Sequence, residues 1–377
     1  MELAIQKYIL EHGFKKTVND FKLKTREYDN KVLLKYDQLV SPTLMALPEM
    51  QDCRGLILEK GTWKVMSLAF RKFFNSEEGN AHKIEWQTAK VLEKLDGTLI
   101  QLYWDWHKGK WFAGTTGTAE GEGEVNNKNG TTFNDLFFET LGKVSPNFNF
   151  EDLPKKFCYV FELTTPYNIV VKPHGESSVT LLTIRNIETL EEITYTGLEI
   201  MGDNFFKIPV VKRFDLKNKN VGALKKTFEN MPWSEEGYVV VDDNFNRIKI
   251  KNPAYLAVHH LKGKTAEHNI ITIVKSNEIE EFGSTFPERK EELYKLKENY
   301  DLLTEKLKFA WDELQLHKPK NIQPSEKKKF ASAVFGVCGL YDIKQFTGLY
   351  FGLNDGKVSS IEDFLMNYDD KLLYKML

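Results

Sequence analysis

The stretch Val91-Leu92-Glu93-Lys94-Leu95-Asp96-Gly97-Thr98-Leu99-Ile100 places a lysine and a turn signal between two apolar runs. Asp-Gly is a strong turn signal, so we expect Lys94 to leave a strand and to be held at a bend. A lysine held in this way has a fixed trajectory towards an electrophile, as a nucleophile requires. A solvated lysine at a hairpin is the alternative that this stretch leaves open. The stretch therefore predicts a strand, a tight turn and a second strand, with Lys94 as the candidate nucleophile.

Composition sets only broad limits on the function. The chain has 377 residues, enough for a full core and a second domain, and its net charge is −2. A polyanion would therefore meet a local basic patch rather than a general positive field. Cys53, Cys158 and Cys338 are far apart and have no metal-ligand spacing, and the N-terminus lacks a signal-peptide pattern. No apolar run approaches the length of a membrane span, so we expect a soluble cytoplasmic protein.

Hydrophobic patterning divides the chain into two regions. Up to about residue 260, many strands and few helices predict an antiparallel α+β domain. Strands are expected over residues 32–36, 54–59, 64–70, 100–106, 111–115, 157–163, 179–187, 237–241 and 247–251. Helical spacing predicts helices over residues 1–24, with a basic end, and over 133–141, 288–316, 330–350 and 361–377. We therefore predict a domain at 1–262 and a separate all-helical domain at 265–377.

Charged residues stand at the ends of several predicted strands. Arg54 precedes one strand, and its planar, always charged guanidinium suits a triphosphate. Glu162 ends a hydrophobic strand, and Glu236 stands at the start of another. Carboxylates in such places are solvated, paired or functional. Each of these residues, taken alone, is also typical of an ordinary protein surface.

The segment Arg247-Ile248-Lys249-Ile250-Lys251 alternates cationic and apolar residues. Period-two geometry directs Lys249 and Lys251 to one face of a strand and the isoleucines to the other. Two adjacent lysines suit a triphosphate and disfavour the protonated form of a nearby amine. The solvated face of an edge strand is the alternative interpretation.

Taken in order, Arg54, Lys94, Glu162, Glu236 and the Lys249/Lys251 pair resemble the motifs of polynucleotide ligases and mRNA capping enzymes. Two further features, Lys72-Phe73-Phe74-Asn75 and the helical tail, narrow the resemblance to the RNA ligase 1 family of T-even-like bacteriophages, the tRNA-repair ligases. The resemblance also includes Leu181-Leu182-Thr183-Ile184-Arg185. The resemblance covers nearly the whole chain and implies an antiparallel nucleotidyltransferase domain followed by a helical domain.

The resemblance implies a reaction in three nucleotidyl transfers. Lys94 takes AMP from ATP, the AMP moves to the 5′-phosphate of a broken RNA, and a 3′-hydroxyl displaces it. Mg²⁺, or Mn²⁺ in its place, is implied through Glu162 and Glu236. A second metal is implied near an acidic residue among Glu278, Glu280 and Glu281, of which we select Glu281. The residues implied to contact ATP are Tyr36, Arg54, Lys72, Glu93, Glu162, Val239 (or Val240), Lys249 and Lys251.

The resemblance also implies partners. The helical domain is expected to recognise tRNA, with a nicked anticodon loop as the substrate and an end-healing polynucleotide kinase/phosphatase as the enzyme that prepares the ends. The location would then be the cytoplasm of the host cell. One position departs from the family, because Thr116 stands where the family has a phosphate-contacting lysine. Either the Thr116 hydroxyl contacts the phosphates in place of that lysine, or another lysine of this chain reaches them.

Other functions remain open from the sequence. A GTP-using capping enzyme and a DNA ligase share the Lys-x-Asp-Gly chemistry, but they normally carry an oligonucleotide-binding barrel where this chain becomes helical. A catalytically idle RNA-binding relative would keep the fold without the reaction. Retention of the charged motif residues argues against such a relative.

Overall fold

The computed structural model describes residues 1–126, 128–216, 218–256, 270–285, 287–318 and 324–377. The chain divides into two compact units, Met1–Lys262 and Gly263–Leu377, which we call the N-terminal and C-terminal units. Within the described residues, we find no helix with the length and apolar character needed to span a bilayer.

The N-terminal unit contains three β-sheets. In the first, Lys24–Glu27 (β1), Lys31–Lys35 (β2), Arg54–Glu59 (β3) and Val65–Ser67 (β4) pair in chain order. The third consists of Phe74–Asn75 (β5), Lys90–Glu93 (β6), Arg213–Phe214 (β11), Gly237–Val241 (β12) and Arg247–Lys251 (β13), in the order β11-β6-β12-β13-β5. The second consists of Thr98–Asp105 (β7), Lys110–Thr115 (β8), Phe157–Thr164 (β9) and Ser178–Asn186 (β10), in the order β10-β9-β7-β8, and its strands fall between β6 and β11 in the chain. The pairings are antiparallel except that β5 runs parallel to β13.

Helices of the N-terminal unit are short and lie between or beside these strands. They are Ala4–His12 (α1), Phe14–Asp20 (α2), Pro42–Met45 (α3), Pro48–Gln51 (α4), Phe133–Val144 (α5), Tyr195–Ile200 (α6) and Val221–Thr227 (α7). The expected N-terminal helix is interrupted at Gly13, whose φ of 83° lies in a region that L side chains rarely adopt. The expected strand over 64–70 is shorter than predicted, because the chain leaves the sheet after Ser67.

Alternation along β6, β12 and β13 divides the third sheet into two faces. Val91, Val240 and Ile250 are buried on one face, where they pack with Leu224 of α7. Leu92 lies on the other face and joins the core beneath the second sheet. This second face also carries the cationic residues of β13. It borders a cleft between the two sheets that both apolar and charged residues line.

Lys31 is an unusual member of the core because its side chain is wholly buried. Its ammonium lies 2.5 Å from Asp105 Oδ2 and 2.8 Å from Glu120 Oε1, and 4.3 Å from the centre of the Phe112 ring. These contacts join β2 of the first sheet to the hairpin of the second. A buried charge of this kind is tolerated only when it is fully paired.

The C-terminal unit is helical in its described part. Its helices are Ile270–Lys275 (α8), Ile279–Thr285 (α9), Lys290–Gln315 (α10), Pro324–Leu340 (α11), Thr347–Asn354 (α12), Ile361–Asn367 (α13) and Asp370–Met376 (α14). The helix expected over 330–350 is broken after Leu340, and Asp342 has a φ of 51° in the left-handed region. With the antiparallel sheets of the N-terminal unit, this helical unit confirms the predicted α+β fold class.

Substitution of Lys31 tests how far the two sheets depend on its ion pairs. We expect Lys31→Met to lower the free energy of unfolding by about 3–5 kcal/mol, because Asp105 would remain buried without its cation. Urea denaturation would measure this change. Lys64→Met, at an exposed lysine of the first sheet, is the control and should change stability by less than about 0.5 kcal/mol. Equal effects of the two substitutions would contradict the assignment.

Candidate active site

The turn after β6 is held by the buried side chain of Asp96. Its Oδ2 accepts hydrogen bonds from the backbone amides of Val171 at 2.9 Å and Lys172 at 2.5 Å, and Tyr255 donates its hydroxyl to Oδ1 at 2.9 Å. The carbonyl of Asp96 lies 2.8 Å from His174 Nε2. Asp96 is therefore the anchor of the turn that presents Lys94.

Gly97 is required by close packing against β9. A Cβ atom at this position would lie 2.6 Å from the carbonyl oxygen of Leu163 and 3.1 Å from Cγ of Glu162. Because no side chain fits this gap, the turn brings the start of β7 directly against the strand that carries Glu162. The Asp-Gly pair is thus needed for its packing as well as for its turn.

Lys94 extends from the end of β6 towards the start of β12. Its backbone amide donates to the carbonyl of Gly237 at 3.0 Å, and its Nζ lies 2.7 Å from Oε1 of Glu236. The Lys94 side chain is 21% exposed and that of Glu236 is 7% exposed. Lys251 Nζ lies 3.8 Å from the same carboxylate oxygen. The structure therefore brings together the candidate nucleophile, one candidate carboxylate and one of the paired lysines.

Gly237 and Asn252 hold Glu236 in this position. Gly237 has a φ of +130°, and a Cβ there would lie 2.2 Å from the carbonyl oxygen of Ile250. The buried Asn252 donates its backbone amide to the carbonyl of Glu236 at 2.9 Å, and its side-chain amide to the carbonyl of Glu235 at 3.0 Å. Glu235 itself is exposed and is therefore a solvated neighbour of Glu236.

Lys94 lies at a cleft between the second and third sheets. Five residues selected from the sequence line this cleft: Arg54, Glu93, Lys94, Glu162 and Val239. Apolar side chains supply much of the remaining wall, among them Phe70, Phe73, Leu92, Leu182 and Val211. An apolar cleft with a few convergent charges is the usual form of a small-molecule site, and apolar side chains suit a nucleobase.

Glu162 is electrostatically strained. Burial raises its pKa to about 7; Lys94 opposes this rise, whereas the charge of Glu236 adds to it. Because Lys94 already pairs with Glu236, the site holds two carboxylates that compete for nearby positive charge. A cation placed between them would relieve this strain.

The face of β13 opposite to Ile248 and Ile250 carries three cations. Lys249 and Lys251 are partly buried and lie on the face opposite to Ile248 and Ile250, as the alternation predicts. Arg247 is on the same face, although it is not among the site residues predicted from the sequence. The period-two pattern that relates the two lysines also includes Arg247, and this signal could have identified it.

Arg247 is tied to the second sheet. Its guanidinium forms a two-point ion pair with Glu192, with one N–H···O distance of 3.0 Å, and lies 4.6 Å from the centre of the Phe70 ring. Thr183 donates its hydroxyl to the same carboxylate at 2.6 Å. Arg247, which lines the cleft, therefore links β13 to residues of β10 and the segment that follows it.

The segment Lys72-Phe73-Phe74-Asn75 adds an edge strand to the third sheet. Asn75 is in register with Lys249, and Phe73 lines the cleft with its ring 5.4 Å from the guanidinium carbon of Arg54. Lys72 Nζ lies 5.0 Å from the centre of the Tyr36 ring. Lys72 and Tyr36 thus contact each other beside the cleft, although neither is among the residues that line it.

Two further candidate positions from the sequence are Thr116, for the phosphates, and Glu281, for a second metal. Thr116 is partly buried, and its Cα would be only 2.8 Å from a Cβ on Gly55, the neighbour of Arg54. Its backbone therefore packs beside the strand of Arg54. Glu281 belongs to α9 in the C-terminal unit, but its side chain lies outside the described residues. Its role in metal binding stays a prediction.

The chain belongs to the RNA ligase family of the T-even-like phage type, as the resemblance indicated. A sequence profile described as RNA ligase matches residues 52–255, more than half of the chain. The matched region includes the cleft and both anchors of the turn, Asp96 and Tyr255.

Several relatives and solved structures are similar to this chain. The RNA ligase of Rhodothermus phage RM378 is 29% identical over 343 residues, with 74% of this chain and 77% of that protein covered. A bifunctional polynucleotide kinase/RNA ligase named in Autographa californica nuclear polyhedrosis virus is 28% identical over 306 residues, and 76% of this chain covers 42% of it. An archaeal ATP-dependent RNA ligase structure, form 2, has 12% identity and a TM-score of 0.47, over 73% of this chain and 68% of that one.

The raised pKa of Glu162 predicts a pH-dependent effect of Glu162→Gln on the ligand-free protein. The folded wild type holds the Glu162 proton more tightly than the unfolded chain, so it loses stability as pH rises from about 4.5 to about 7. The glutamine variant does not titrate. Its stability relative to wild type should therefore increase across this window, by an amount on the order of 2 kcal/mol.

Urea denaturation at pH 5 and at pH 8, with a chelator present, would measure this difference. Glu235→Gln is the matched control, because it changes the exposed neighbour of Glu236, and it should give a much smaller pH-dependent difference. A stability difference for Glu162→Gln that is the same at both pH values would refute the strain described here.

Proposed function

We propose that this protein is an ATP-dependent RNA ligase that joins 5′-phosphate and 3′-hydroxyl RNA ends through a lysyl-AMP intermediate on Lys94. Its membership of the RNA ligase family supports the joining of RNA. The observation that carries the covalent step is the position of the Lys94 amine. It lies 2.7 Å from Glu236 at a cleft that Arg54 and Glu162 also line.

In the proposed first step, the uncharged amine of Lys94 attacks the α-phosphorus of ATP. A P–N bond forms, and pyrophosphate leaves with the electrons of the broken P–O bond. A lysine amine is mostly protonated at neutral pH, so Lys94, whose Nζ lies 2.7 Å from Oε1 of Glu236, must lose a proton before it attacks. Arg54, Lys249 and Lys251 would stabilise the negative charge that develops on the phosphates.

Two further transfers complete the proposed reaction. An oxygen of the RNA 5′-phosphate attacks the AMP phosphorus, the P–N bond breaks, and the Lys94 amine leaves. The 3′-hydroxyl of the other RNA end then attacks the 5′-phosphate phosphorus, and AMP is the leaving group. The same cleft can serve all three transfers because each one needs a nucleophile, an electrophilic phosphorus and a leaving group in line.

Magnesium is the metal that fits the described residues. Burial is the main cause of the raised pKa of Glu162, and the charge of Glu236 adds to it, so the two carboxylates lie close enough to interact. Among the residues that the structure describes, no group of three or more His, Cys, Asp or Glu side chains is arranged to hold a metal. Mg²⁺ suits such a site because it keeps several waters and takes only one or two carboxylates, and Mn²⁺ could replace it. When bound, this ion would neutralise phosphate charge.

We further propose that the two units have different functions, one in catalysis and one in the selection of RNA. Residues 1–262 would perform nucleotidyl transfer, and residues 265–377 would select a nicked tRNA anticodon loop in the cytoplasm of a host cell. The three cysteines are free and buried, which is consistent with a reducing compartment. A separate kinase/phosphatase would prepare the ends, and the viral relative named as a kinase/ligase supports this pairing. Exposed Lys327 and Lys328 in α11 are candidate phosphate contacts.

Covalent labelling tests the proposed chemistry. With magnesium and α-labelled ATP, the wild type should become labelled, whereas Lys94→Ala and Lys94→Arg should not. Arginine keeps the charge but is not a nucleophile, so it separates charge from covalent reaction. Lys90→Ala is the matched control, at the other end of the same strand, and should label within about twofold of wild type.

The same assay separates the alternatives. Labelling by GTP in place of ATP would favour a capping guanylyltransferase. Labelling by neither nucleotide would favour a catalytically idle RNA-binding relative. Labelling of Lys94→Ala at the wild-type level would show that another residue is the nucleophile.

Truncation tests the proposed role of the C-terminal unit. Removal of residues 265–377 should reduce the sealing of nicked tRNA by at least about tenfold more than the sealing of a simple RNA oligonucleotide, because phosphate contacts add to affinity. Rates on both substrates, measured with the same protein preparations, would give this ratio. Equal losses on the two substrates would count against a role in tRNA selection.

A further inference from the structure

The β9–β10 loop, Thr165–Ser177, lies against the turn that follows Lys94. It joins the end of β9 to the start of β10, where Thr164 is in register with Ser178. Leu163 of β9 is in register with Thr98, the first residue after the Lys94 turn. The loop therefore emerges from the second sheet at the same end as the candidate nucleophile.

Hydrogen bonds fasten this loop to the turn. The amides of Val171 and Lys172 donate to the Asp96 carboxylate, and His174 contacts the Asp96 carbonyl. Asn168 donates its side-chain amide to the hydroxyl of Thr98 at 2.9 Å. The loop is thus preorganised on the turn, and any molecule bound to it would be placed in a defined position relative to Lys94.

The loop presents a small apolar surface and one cation to solvent. Ile169 is 41% exposed and Val170 is 39% exposed, although both stand beside the wholly buried Val171. The ammonium of Lys172 has no carboxylate within 4.0 Å in the described part of the chain, and this lysine does not line the cleft. An apolar pair next to such a lysine is suited to a nucleoside and the phosphate attached to it.

The direction from which RNA must attack the AMP phosphorus relates the surface of the β9–β10 loop to the proposed reaction. In the transfer of AMP to RNA, the attacking oxygen must approach the phosphorus opposite to the departing Lys94 nitrogen. The RNA end must therefore be held near Lys94 in a fixed orientation. The β9–β10 loop is a fixed element there, because its amides are bonded to Asp96 in the turn that presents Lys94.

We propose that the β9–β10 loop binds the 5′-phosphorylated end of the RNA, with Lys172 on the terminal phosphate and Ile169 and Val170 against the terminal nucleoside. This inference rests on the proposed ligase function. During transfer, an oxygen of this phosphate forms a bond to the AMP phosphorus as the P–N bond to Lys94 breaks. The bonding electrons stay on the Lys94 nitrogen, which then takes up a proton. Lys172 partly neutralises the incoming phosphate, so that two anions can approach each other.

Separate measurement of the steps tests this proposal. Lys172→Ala should form lysyl-AMP from ATP within about twofold of wild type. It should then transfer AMP to a 5′-phosphorylated single-stranded RNA roughly tenfold or more slowly, because a charge-assisted hydrogen bond is lost. Lys172→Arg should restore most of this rate. Lys15→Ala, at an exposed lysine of α2, is the control and should leave both steps unchanged.

Binding provides a readout that does not require turnover. In a Lys94→Ala background, the protein should bind 5′-phosphorylated RNA more tightly than the same RNA with a 5′-hydroxyl. Lys172→Ala should remove this preference and reduce the slope of log affinity against log salt by about one. Ile169→Ser and Val170→Ser should weaken the binding of both RNAs equally.

Several results would overturn the proposal. A loss of lysyl-AMP formation in Lys172→Ala would indicate that Lys172 binds ATP instead of the RNA end. An unchanged preference of Lys172→Ala for 5′-phosphorylated RNA would show that Lys172 does not bind the RNA phosphate. Failure of the proposed function is distinguishable, because it would appear as the absence of lysyl-AMP in the wild type with Lys172 intact.

Discussion

The buried carboxylate of Asp96 is the constraint on which the candidate site depends. A charge in this position is stable only if its lone pairs are satisfied, and the donors come from the β9–β10 loop and from Tyr255 near the end of the N-terminal unit. Segments distant in sequence must therefore converge on one turn. Lys94 is two residues away and inherits this fixed position, since its own amide is bonded to Gly237.

Close backbone packing adds a second constraint, and it explains why glycine occupies two positions of the site. Gly97 lies against β9 and Gly237 against β13, with no space for a Cβ at either residue. Each glycine has a candidate site residue beside it: Glu236 precedes Gly237 in the chain, and Glu162 lies across the contact from Gly97. The close approach of the strands is thus what sets the distance between the carboxylates and the amine.

Much of the fold could be predicted because its signals are local. Strands β3, β12 and β13 agree with their expected bounds, since apolar runs with turn residues on both sides define them. The helix boundaries in the C-terminal unit were harder to predict. The break after Leu340 has no proline or Asn-Gly signal, and it depends on how Ile343 and Phe346 are buried in the helical core. Such burial is a tertiary effect that periodicity cannot reveal.

The sequence by itself determined the chemistry that is available: an amine at a turn, carboxylates at strand ends and cations on alternate positions of one strand. Only the tertiary structure decided which of these groups meet. It paired Lys94 with Glu236, left Glu162 strained, and tied Arg247 to Glu192 across the two sheets. The physical reason is that residue type and periodicity fix the direction of a side chain within its own strand. Distances between strands follow from the packing of the sheets and from buried polar groups that must find partners.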